Sequence, residues 1–426
     1  MLQTYINPSP SLWPALCERT KAEQSGEIAS AVARILADVR EGGDKALLRL
    51  EKQFDGATLS CLEVSEAEKA EASAAVPEAL KQALSTAKSN IERFHRAQLP
   101  SPVSVETFPG VTCRQKAVPI RRVGLYIPGG RAPLFSTVLM LAVPASVAGC
   151  PDVILCSPPG PTGRVSPAII YAATLCGVAH IYKCGGAQAI AAMAYGTGTI
   201  SRRDKIFGPG NRYVMAAKQA VSVGDVAIDM PAGPSEVMVL ADSSAVPSFV
   251  AADLLSQAEH GPDSQAMLVC TSEDIAAAVK AEVLSQMEAL PRRSSIASSL
   301  EGSRIVVLER ARMASFANAY APEHLIVSVS DPWQMAGEIY AAGSIFIGNY
   351  STESAGDYAS GTNHTLPTSG WARSYSGVNI DSFMRKITCQ ELSPAGLRAL
   401  SPTIIEMASA EGLDAHAEAV KIRLKG

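Results

Sequence analysis

The sequence lacks Cys-x-x-Cys pairs and any long uninterrupted apolar run, and its first residues do not have the pattern expected of a secretory leader. Its nine cysteines are scattered without a Cys-x-x-Cys pair, which argues against a disulfide framework and against a thiolate zinc cluster. The apolar stretch 138–150 is broken by Pro144 and Gly149 and falls short of the roughly 20 residues that a membrane-spanning helix needs. The start, MLQTYINPSPSLW, has no basic region followed by an apolar core. We therefore expect a cytoplasmic protein.

The chain also lacks an excess of charge of either sign. It carries 37 Lys and Arg against 41 Asp and Glu, a formal net charge of −4. Without a basic field it does not attract polyanions, so neither nucleic acid nor an anionic membrane surface is expected as a partner. Aromatic residues make up only 5% of the chain and hydrophobic residues 47%, a composition typical of an α/β enzyme with an aliphatic core that acts on small molecules.

Strand-like and helix-like segments alternate along most of the chain. Strand-like runs at 122–127, 153–156 and 178–183 are separated by helical patterns, and a second set of the same kind lies between residues 237 and 347. This alternation predicts βαβ units in two α/β lobes with parallel sheets. The Gly- and Pro-containing segment 229–235 is the expected crossing between the lobes and the expected edge of a cleft.

The six histidines are the most informative polar residues. Gln257 and His260 are three residues apart on one predicted helical face, so both side chains can reach one site, although His260 could equally cap the end of that helix. Glu323 and His324 are adjacent at a helix-to-strand junction, which suits a proton-transfer pair or, alternatively, a surface acid beside a histidine that begins a strand.

Two further acid and histidine pairs lie towards the C-terminus. Asp357 and His364 fall in a predicted long polar loop, and such loops are usually functional or disordered. Glu411 and His416 flank Gly412 and, by themselves, are typical of solvated helix ends. A zinc site needs roughly four N, O or S donors, and no local His or Cys cluster supplies them. Any metal ligands would therefore come from distant segments.

The sequence has no Gly-x-Gly-x-x-Gly fingerprint for a dinucleotide. Glycine clusters occur at 127–133, 183–191 and 207–214, and each is also compatible with an ordinary strand-to-helix turn. Gln188 begins a predicted helix, where free backbone amides could contact a pyrophosphate or ribose.

Five strings in order, AIDMPAGPSEVMVLAD, DLLSQAEHGPDSQ, APEHLIVSV, SAGDYASGTNHTLPT and AEGLDAHAEAV, resemble the histidinol dehydrogenase family over nearly the whole chain. The resemblance implies one Zn²⁺ per subunit with the ligands Gln257, His260, Asp357 and His416. It implies Glu323 and His324 as the catalytic acid/base pair. Further substrate contacts, beside these six residues, would be Ser235, His364 and Glu411, and NAD contacts would be Tyr126, Gln188 and Asn211.

The resemblance also implies the reaction and the assembly. The expected reaction is the last step of histidine biosynthesis, in which L-histidinol is oxidised by NAD through L-histidinaldehyde to L-histidine. A homodimer with shared active sites is expected, in which the C-terminal segment carries His416 to the partner. No cysteine falls in the matched strings, which disfavours a covalent thiohemiacetal.

The implied fold is two incomplete Rossmann-like lobes with parallel sheets, plus small helical N- and C-terminal segments. The expected division is an N-terminal segment (1–22), a discontinuous first lobe with the metal and substrate site (23–125 and 235–378), an NAD-binding second lobe (126–234) and a C-terminal helical segment (379–426). Three alternatives remain open at this point: a zinc enzyme of the same scaffold that oxidises another small alcohol, a zinc hydrolase that needs no nicotinamide, and a non-catalytic binding protein.

Overall fold

The computed structural model describes residues 2–19, 26–129 and 133–425. In these ranges the strands are β1 (Gln3–Ile6), β2 (Val103–Phe108), β3 (Val111–Pro119), β4 (Arg122–Tyr126), β5 (Asp152–Ser157), β6 (His180–Lys183), β7 (Lys205–Phe207), β8 (Ala227–Ile228), β9 (Glu236–Ala241), β10 (Gln265–Cys270), β11 (Arg304–Val307), β12 (His324–Ser328), β13 (Ser344–Ile347) and β14 (Met384–Leu392). The predicted boundary at residue 22 and part of the glycine turn at 127–133 lie outside the described residues.

The helices in the same ranges are α1 (Trp13–Leu16), α2 (Gly26–Phe54), α3 (Glu66–Ala75), α4 (Glu78–Arg96), α5 (Phe135–Ala148), α6 (Pro167–Leu175), α7 (Gly186–Tyr195), α8 (Arg212–Ser222), α9 (Pro247–Ala258), α10 (Glu273–Met287), α11 (Arg293–Glu301), α12 (Arg310–Tyr320), α13 (Pro332–Gly337), α14 (Glu353–Tyr358), α15 (Pro394–Ala410) and α16 (Asp414–Leu424). None of these helices has the length and apolar character needed to cross a membrane.

The first sheet has the strand order β1-β11-β10-β9-β12-β13, and all of its strand pairs are parallel. Every residue of β9 and β10 is buried, as the apolar runs 237–241 and 266–270 predict for strands covered on both faces. Alternate residues of β9 face opposite layers: Val237 and Val239 pack with α9, and Met238 and Leu240 pack with Phe316 of α12. Each such side chain contributes about 1.5–3 kcal/mol by leaving water.

The second sheet has the order β6-β5-β4-β7-β8 and is also entirely parallel. Helices α5 to α8 alternate with its strands, which confirms the predicted α/β class with parallel sheets. Helix α2 bends at Gly43, where φ is +51°, a value that favours glycine. Its apolar residues Leu47 and Leu50 pack in the same core as α7.

The packing of the N-terminal helices differs from the predicted division of the chain. Helix α2 contacts α7 and α8, α3 contacts α6, and α4 contacts α5, so all three cover the second sheet. The prediction grouped residues 23–125 with residues 235–378. The apolar residues of α4, such as Leu84 and Ile91, instead complete the core around β4 and α5, and those of α2 pack with α7.

A third sheet, with the antiparallel order β14-β3-β2, was not predicted. It joins residues 103–119 to the segment that follows residue 383, so the region 379–426 contains a strand before its two helices. Gly396 at the start of α15 packs directly on the backbone of Gly110, where a Cβ atom would clash. The C-terminal helices are thereby attached to β3 through β14.

The two parallel sheets face each other with different edges, the first with its amino edge and the second with its carboxyl edge. The segment 229–235 leaves the carboxyl end of β8 and enters the amino end of β9. Between the sheets, the side chain of Asn363 donates to the backbone oxygen of Met140 in α5 (2.6 Å), and the ring of His364 lies 3.1 Å from the hydroxyl of Thr137. The amino edge of the first sheet and the carboxyl edge of the second therefore face a common region.

One buried ion pair ties the N-terminal segment to the first sheet. The guanidinium of Arg19 makes two 3.0 Å hydrogen bonds to the carboxylate of Glu236, which is buried, and it stacks on the ring of Tyr320. Such bidentate geometry fixes both partners.

We expect Arg19→Ala to lower the free energy of unfolding by about 3–5 kcal/mol, because it leaves the buried carboxylate of Glu236 without its cation. The matched control is Arg49→Ala, which removes an exposed pair with Asp38 and should cost less than about 1 kcal/mol. Urea denaturation followed by circular dichroism measures both. Equal losses in the two variants would contradict the assigned role of Arg19.

Candidate active site

The predicted site residues of the first sheet collect at its amino edge. Gln257 lies in the last turn of α9 and His260 two residues beyond the end of that helix. Glu323 and His324 lie at the start of β12, beside β9. The side chains meet: Nε2 of Gln257 is 3.5 Å from Oε2 of Glu323, and Oε2 of Glu323 also accepts from the backbone N–H of Glu236 (2.8 Å).

Asp357 lies in the short helix α14 rather than in an irregular loop, which corrects the prediction for this segment. The helix begins after Thr352, whose hydroxyl donates to Asp253 of α9 (2.6 Å) and so holds α14 against α9. The segment is polar yet ordered because its side chains bind neighbouring elements. His364 follows as predicted in non-helical chain, with Nδ1 2.9 Å from the backbone oxygen of Asp357.

The predicted ligands present a donor set suited to a divalent cation. Ligand atoms of His260, Asp357 and a third residue, Glu353, all lie within 4.8 Å of one another. In the described part of the chain, Oε1 of Gln257 and Oε2 of Glu353 are buried without a hydrogen-bond partner. Since an unpaired buried polar atom is costly, these oxygens fit a site that is completed by a cation, and the mixed N and O donors suit zinc.

Charge around His324 is unusually concentrated. Its Nδ1 donates to the backbone oxygen of Glu236 (3.2 Å) and lies 3.6 Å from the carboxylate of Glu323 and 3.9 Å from that of Glu353. Its Nε2 lies 3.5 Å from Asp357. Burial disfavours the imidazolium, but the three carboxylates outweigh that effect and raise the pKa of His324 to about 10.

The pKa values of the three carboxyl groups around His324 are also shifted. Burial raises the pKa of Glu323 to about 8, with His324 opposing the shift. Burial likewise raises the pKa of Glu353 to about 8. Burial also disfavours ionisation of Asp357, but the hydrogen bond and charge of His324 prevail and lower its pKa. Carboxyl groups with pKa values near neutrality can both accept and return a proton at physiological pH.

Glu353 is a site residue that the sequence did not reveal. It is the first residue of α14 and is buried. An acid at the start of a helix ordinarily faces solvent, where the helix dipole favours its negative charge. No periodic apolar pattern surrounds it, so nothing in its neighbourhood indicates burial.

The predicted cofactor residues lie at the carboxyl edge of the second sheet. Tyr126 ends β4, Gln188 follows β6 in the first turn of α7, and Asn211 follows β7 as the N-cap of α8, where its side chain accepts from Tyr213 and Val214. Strand order reverses direction between β4 and β7, and ligands of open parallel sheets bind outside the carboxyl ends at such a point.

The prediction that the backbone amides at the start of α7 are free is wrong for the first two of them, those of Gly185 and Gly186. The backbone N–H of Gly185 donates to the carboxylate of Glu51 (3.0 Å), and that of Gly186 donates to the hydroxyl of Tyr126 (3.2 Å). Glu51 also accepts from the side-chain amide of Gln188 (2.9 Å). The sequence reasoning missed Glu51, although it stands four residues after Leu47 on the apolar face of α2.

Three predicted substrate or metal residues have no side-chain hydrogen bond or ion pair to this cluster among the described residues. Ser235 immediately precedes Glu236 at the amino end of β9 and is linked there to β10 by its backbone oxygen. Glu411 and His416 are exposed on the C-terminal helices, and the hydrogen bonds and ion pairs of the described residues do not join them to the cluster. The nine cysteines are all free thiols.

Comparison with known proteins gives a consistent result. The histidinol dehydrogenase family matches residues 18–424. A histidinol dehydrogenase of Bacteroides thetaiotaomicron is 56% identical over 425 residues, which cover 100% of this chain and 99% of that protein. One of Vibrio parahaemolyticus is 52% identical, with 96% and 95% covered. The crystal structure of histidinol dehydrogenase from Elizabethkingia anophelis has a TM-score of 0.97 at 52% identity and covers 100% of this chain and 98% of its own. The chain belongs to the histidinol dehydrogenase family.

Proposed function

We propose that the protein is a zinc-dependent, NAD-linked histidinol dehydrogenase, which oxidises L-histidinol through L-histidinaldehyde to L-histidine. The observation that carries the proposal is the buried pair Glu323 and His324 next to the donor set of Gln257, His260 and Asp357. A proton-transfer pair beside a cation site, at an edge that faces a nucleotide-type sheet edge, provides the groups that alcohol oxidation requires.

The metal would be held by Gln257, His260 and Asp357 of one chain and by His416 of the partner subunit. A bound zinc ion would orient the imidazole and amine of the substrate, so that the alcohol carbon is fixed in the site. Buried oxygens of Gln257 and Glu353 that lack hydrogen-bond partners among the described residues support this assignment.

The acid and base steps follow from the position of the two residues. His324 accepts the proton of the substrate hydroxyl as a hydride leaves the same carbon for NAD⁺. Glu323, whose carboxylate is held by the backbone N–H of Glu236, removes a proton from the water that hydrates the aldehyde. A second hydride transfer to another NAD⁺ gives the carboxylate. Engagement of Asp357 by a cation would reduce the negative field on His324 and bring the pKa of its imidazole down from about 10 towards neutrality.

NAD would lie at the carboxyl edge of the second sheet, against Tyr126, Gln188 and Asn211. The supporting observation is the reversal of strand order between β4 and β7, which places two of these residues on either side of the switch point. The contact between Thr137 of α5 and His364 supports a position of NAD next to the proposed substrate residues. His364 would contact substrate from the side of the cofactor.

The assembly would be a homodimer, in which Glu411 and His416 of the partner subunit complete each site. Both positions are exposed in the single chain, as residues that serve a neighbouring subunit are before assembly. We further propose that the protein acts in the cytoplasm.

The direct test is NADH formation by the purified protein with L-histidinol and NAD⁺, before and after chelation and after return of zinc. We expect two NADH per histidinol, loss of activity with the chelator and recovery with zinc. Zinc-bound protein that forms no NADH from histidinol would refute the proposed substrate, and full activity of the chelated protein would refute the metal requirement.

His324→Ala should reduce turnover by roughly 100- to 10,000-fold, the usual contribution of a positioned base, while leaving most of the zinc bound. His260→Ala should lose both zinc and activity, because it removes a ligand. Metal analysis together with kinetics separates the two effects. His180→Ala, at an exposed histidine paired with Glu63, is the matched control and should change neither quantity. Equal zinc loss in the first two variants would overturn the assignment of roles.

Glu323→Gln should mainly slow the second oxidation, because an amide cannot remove the proton from water. We expect the variant to release one NADH rapidly and the second slowly, as seen in the time course of NADH absorbance under single-turnover conditions. Glu309→Gln, at the exposed N-cap of α12, serves as the control. A normal rate for the second NADH in Glu323→Gln would contradict the proposed role.

A further inference from the structure

Pro144 lies inside α5 and leaves one backbone carbonyl of that helix without its usual donor. Proline has no backbone N–H, so Pro144 cannot donate to the carbonyl oxygen of Met140, four residues earlier. Proline is also the least favourable residue in a helix interior. A buried carbonyl without a partner is costly, so the oxygen of Met140 requires a donor from elsewhere in the protein.

That donor is the side chain of Asn363, which belongs to the chain between α14 and β14. Its Nδ2 donates to the carbonyl oxygen of Met140 (2.6 Å), and its Oδ1 accepts from the backbone N–H of Thr365 (2.9 Å). The second bond establishes which end of the amide is the donor, because a backbone N–H can only donate. Asn363 is buried, and it attaches the segment that carries His364 to α5.

A second contact with the same segment lies one turn earlier on α5. Oγ1 of Thr137 lies 3.1 Å from Nε2 of His364, the residue that follows Asn363. Residues three apart lie on one face of a helix, so Thr137 and Met140 meet neighbouring residues of one segment. The exposed fraction of Thr137 is only 1%. Its hydroxyl therefore affects the site through the ring of His364 and not by touching substrate.

The two hydrogen bonds of His364 fix the rotation of its ring. Nδ1 lies 2.9 Å from the backbone oxygen of Asp357, which can only accept, so Nδ1 carries a proton. In the neutral ring Nε2 is then an acceptor, and the hydroxyl of Thr137 donates to it. In the charged ring the hydroxyl accepts instead, so the contact does not depend on the charge. Rotation of the ring by half a turn would put carbon atoms in place of both nitrogens.

We propose that Thr137 and Asn363 are positioning residues, which fix the ring of His364 for the substrate. Pro144 makes this arrangement possible, because it leaves the carbonyl of Met140 to Asn363. The inference rests on the proposed function, in which His364 contacts histidinol. Helix α5 is the next element after β4, which ends at the proposed cofactor edge. The substrate contact is thus set from the cofactor side of the site.

The first test is Thr137→Val, which keeps the shape of the side chain and removes its hydroxyl. We expect the dissociation constant of L-histidinol, measured by calorimetry on the zinc-loaded protein without NAD⁺, to rise about tenfold, the effect of one lost hydrogen bond. The KM for histidinol should rise in parallel, whereas the KM for NAD⁺ and the zinc content should not change. Thr137→Ser restores the hydroxyl and should restore the affinity for histidinol.

A second variant, Pro144→Ala, separates positioning from stability. It gives residue 144 a backbone N–H, which competes with Asn363 for the carbonyl of Met140. Alanine is the more favourable helix residue, and this gain offsets the loss of the buried proline ring. The midpoint of thermal unfolding should therefore stay close to that of the wild type, while the dissociation constant of histidinol rises. A contact that served only the stability of the fold would not give this combination.

The matched control is Thr174→Val, which makes the same substitution in α6, where the hydroxyl donates to Ile170 of the same helix. It should change neither the affinity for histidinol nor the KM for NAD⁺. Wild-type affinity for histidinol in Thr137→Val, or a loss that Thr137→Ser does not restore, would overturn the inference. Wild-type affinity in Pro144→Ala would overturn the role of the proline, and the whole inference if Thr137→Val does not fold. A wild-type protein that neither binds histidinol nor forms NADH from it would instead refute the proposed function.

Discussion

Charges that are buried between two sheets must be compensated locally, and the arrangement of the site depends on that constraint. Around His324, the carboxyl groups of Glu323, Glu353 and Asp357 face one imidazole. Burial raises the pKa of both Glu323 and Glu353 to about 8, and the single imidazole opposes this shift without neutralising three carboxyl groups. A divalent cation beside them would relieve the same imbalance. The proposed proton transfer and the proposed metal binding would thus have one physical origin.

The connection between the sheets explains why such different residues converge. In a parallel sheet, one edge carries all amino ends and the other all carboxyl ends. The short segment 229–235 joins the carboxyl edge of one sheet to the amino edge of the next. Tyr126 and Asn211 therefore lie on one side of the site, and Glu323 and Gln257 on the other. No long insertion is needed to bring the proposed cofactor edge against the proposed substrate edge.

The strands and junctions that a local sequence pattern determines could be predicted from the sequence. Unbroken apolar runs identified β9 and β10, and the adjacency of Glu323 and His324 marked the junction before β12. The third sheet was not predicted because β2 is exposed along its whole length. It has no buried face that would produce alternating apolar and polar residues. Pro402 lies inside α15, where packing against α16 outweighs the low helix propensity of proline.

Glu51 and Glu353 show a different limit of sequence reasoning. Glu51 accepts a hydrogen bond from Gln188, and Glu353 lies beside His260. Both partners are more than ninety residues away, and a single sequence does not encode such pairings locally. Glu51 nevertheless stands on the apolar face of α2, where an acid is unfavourable unless it is paired. An acid that interrupts an apolar helix face is therefore a usable signal for a buried functional group. An acid in the first turn of a short polar helix, such as Glu353, gives none, because the dipole already favours it there.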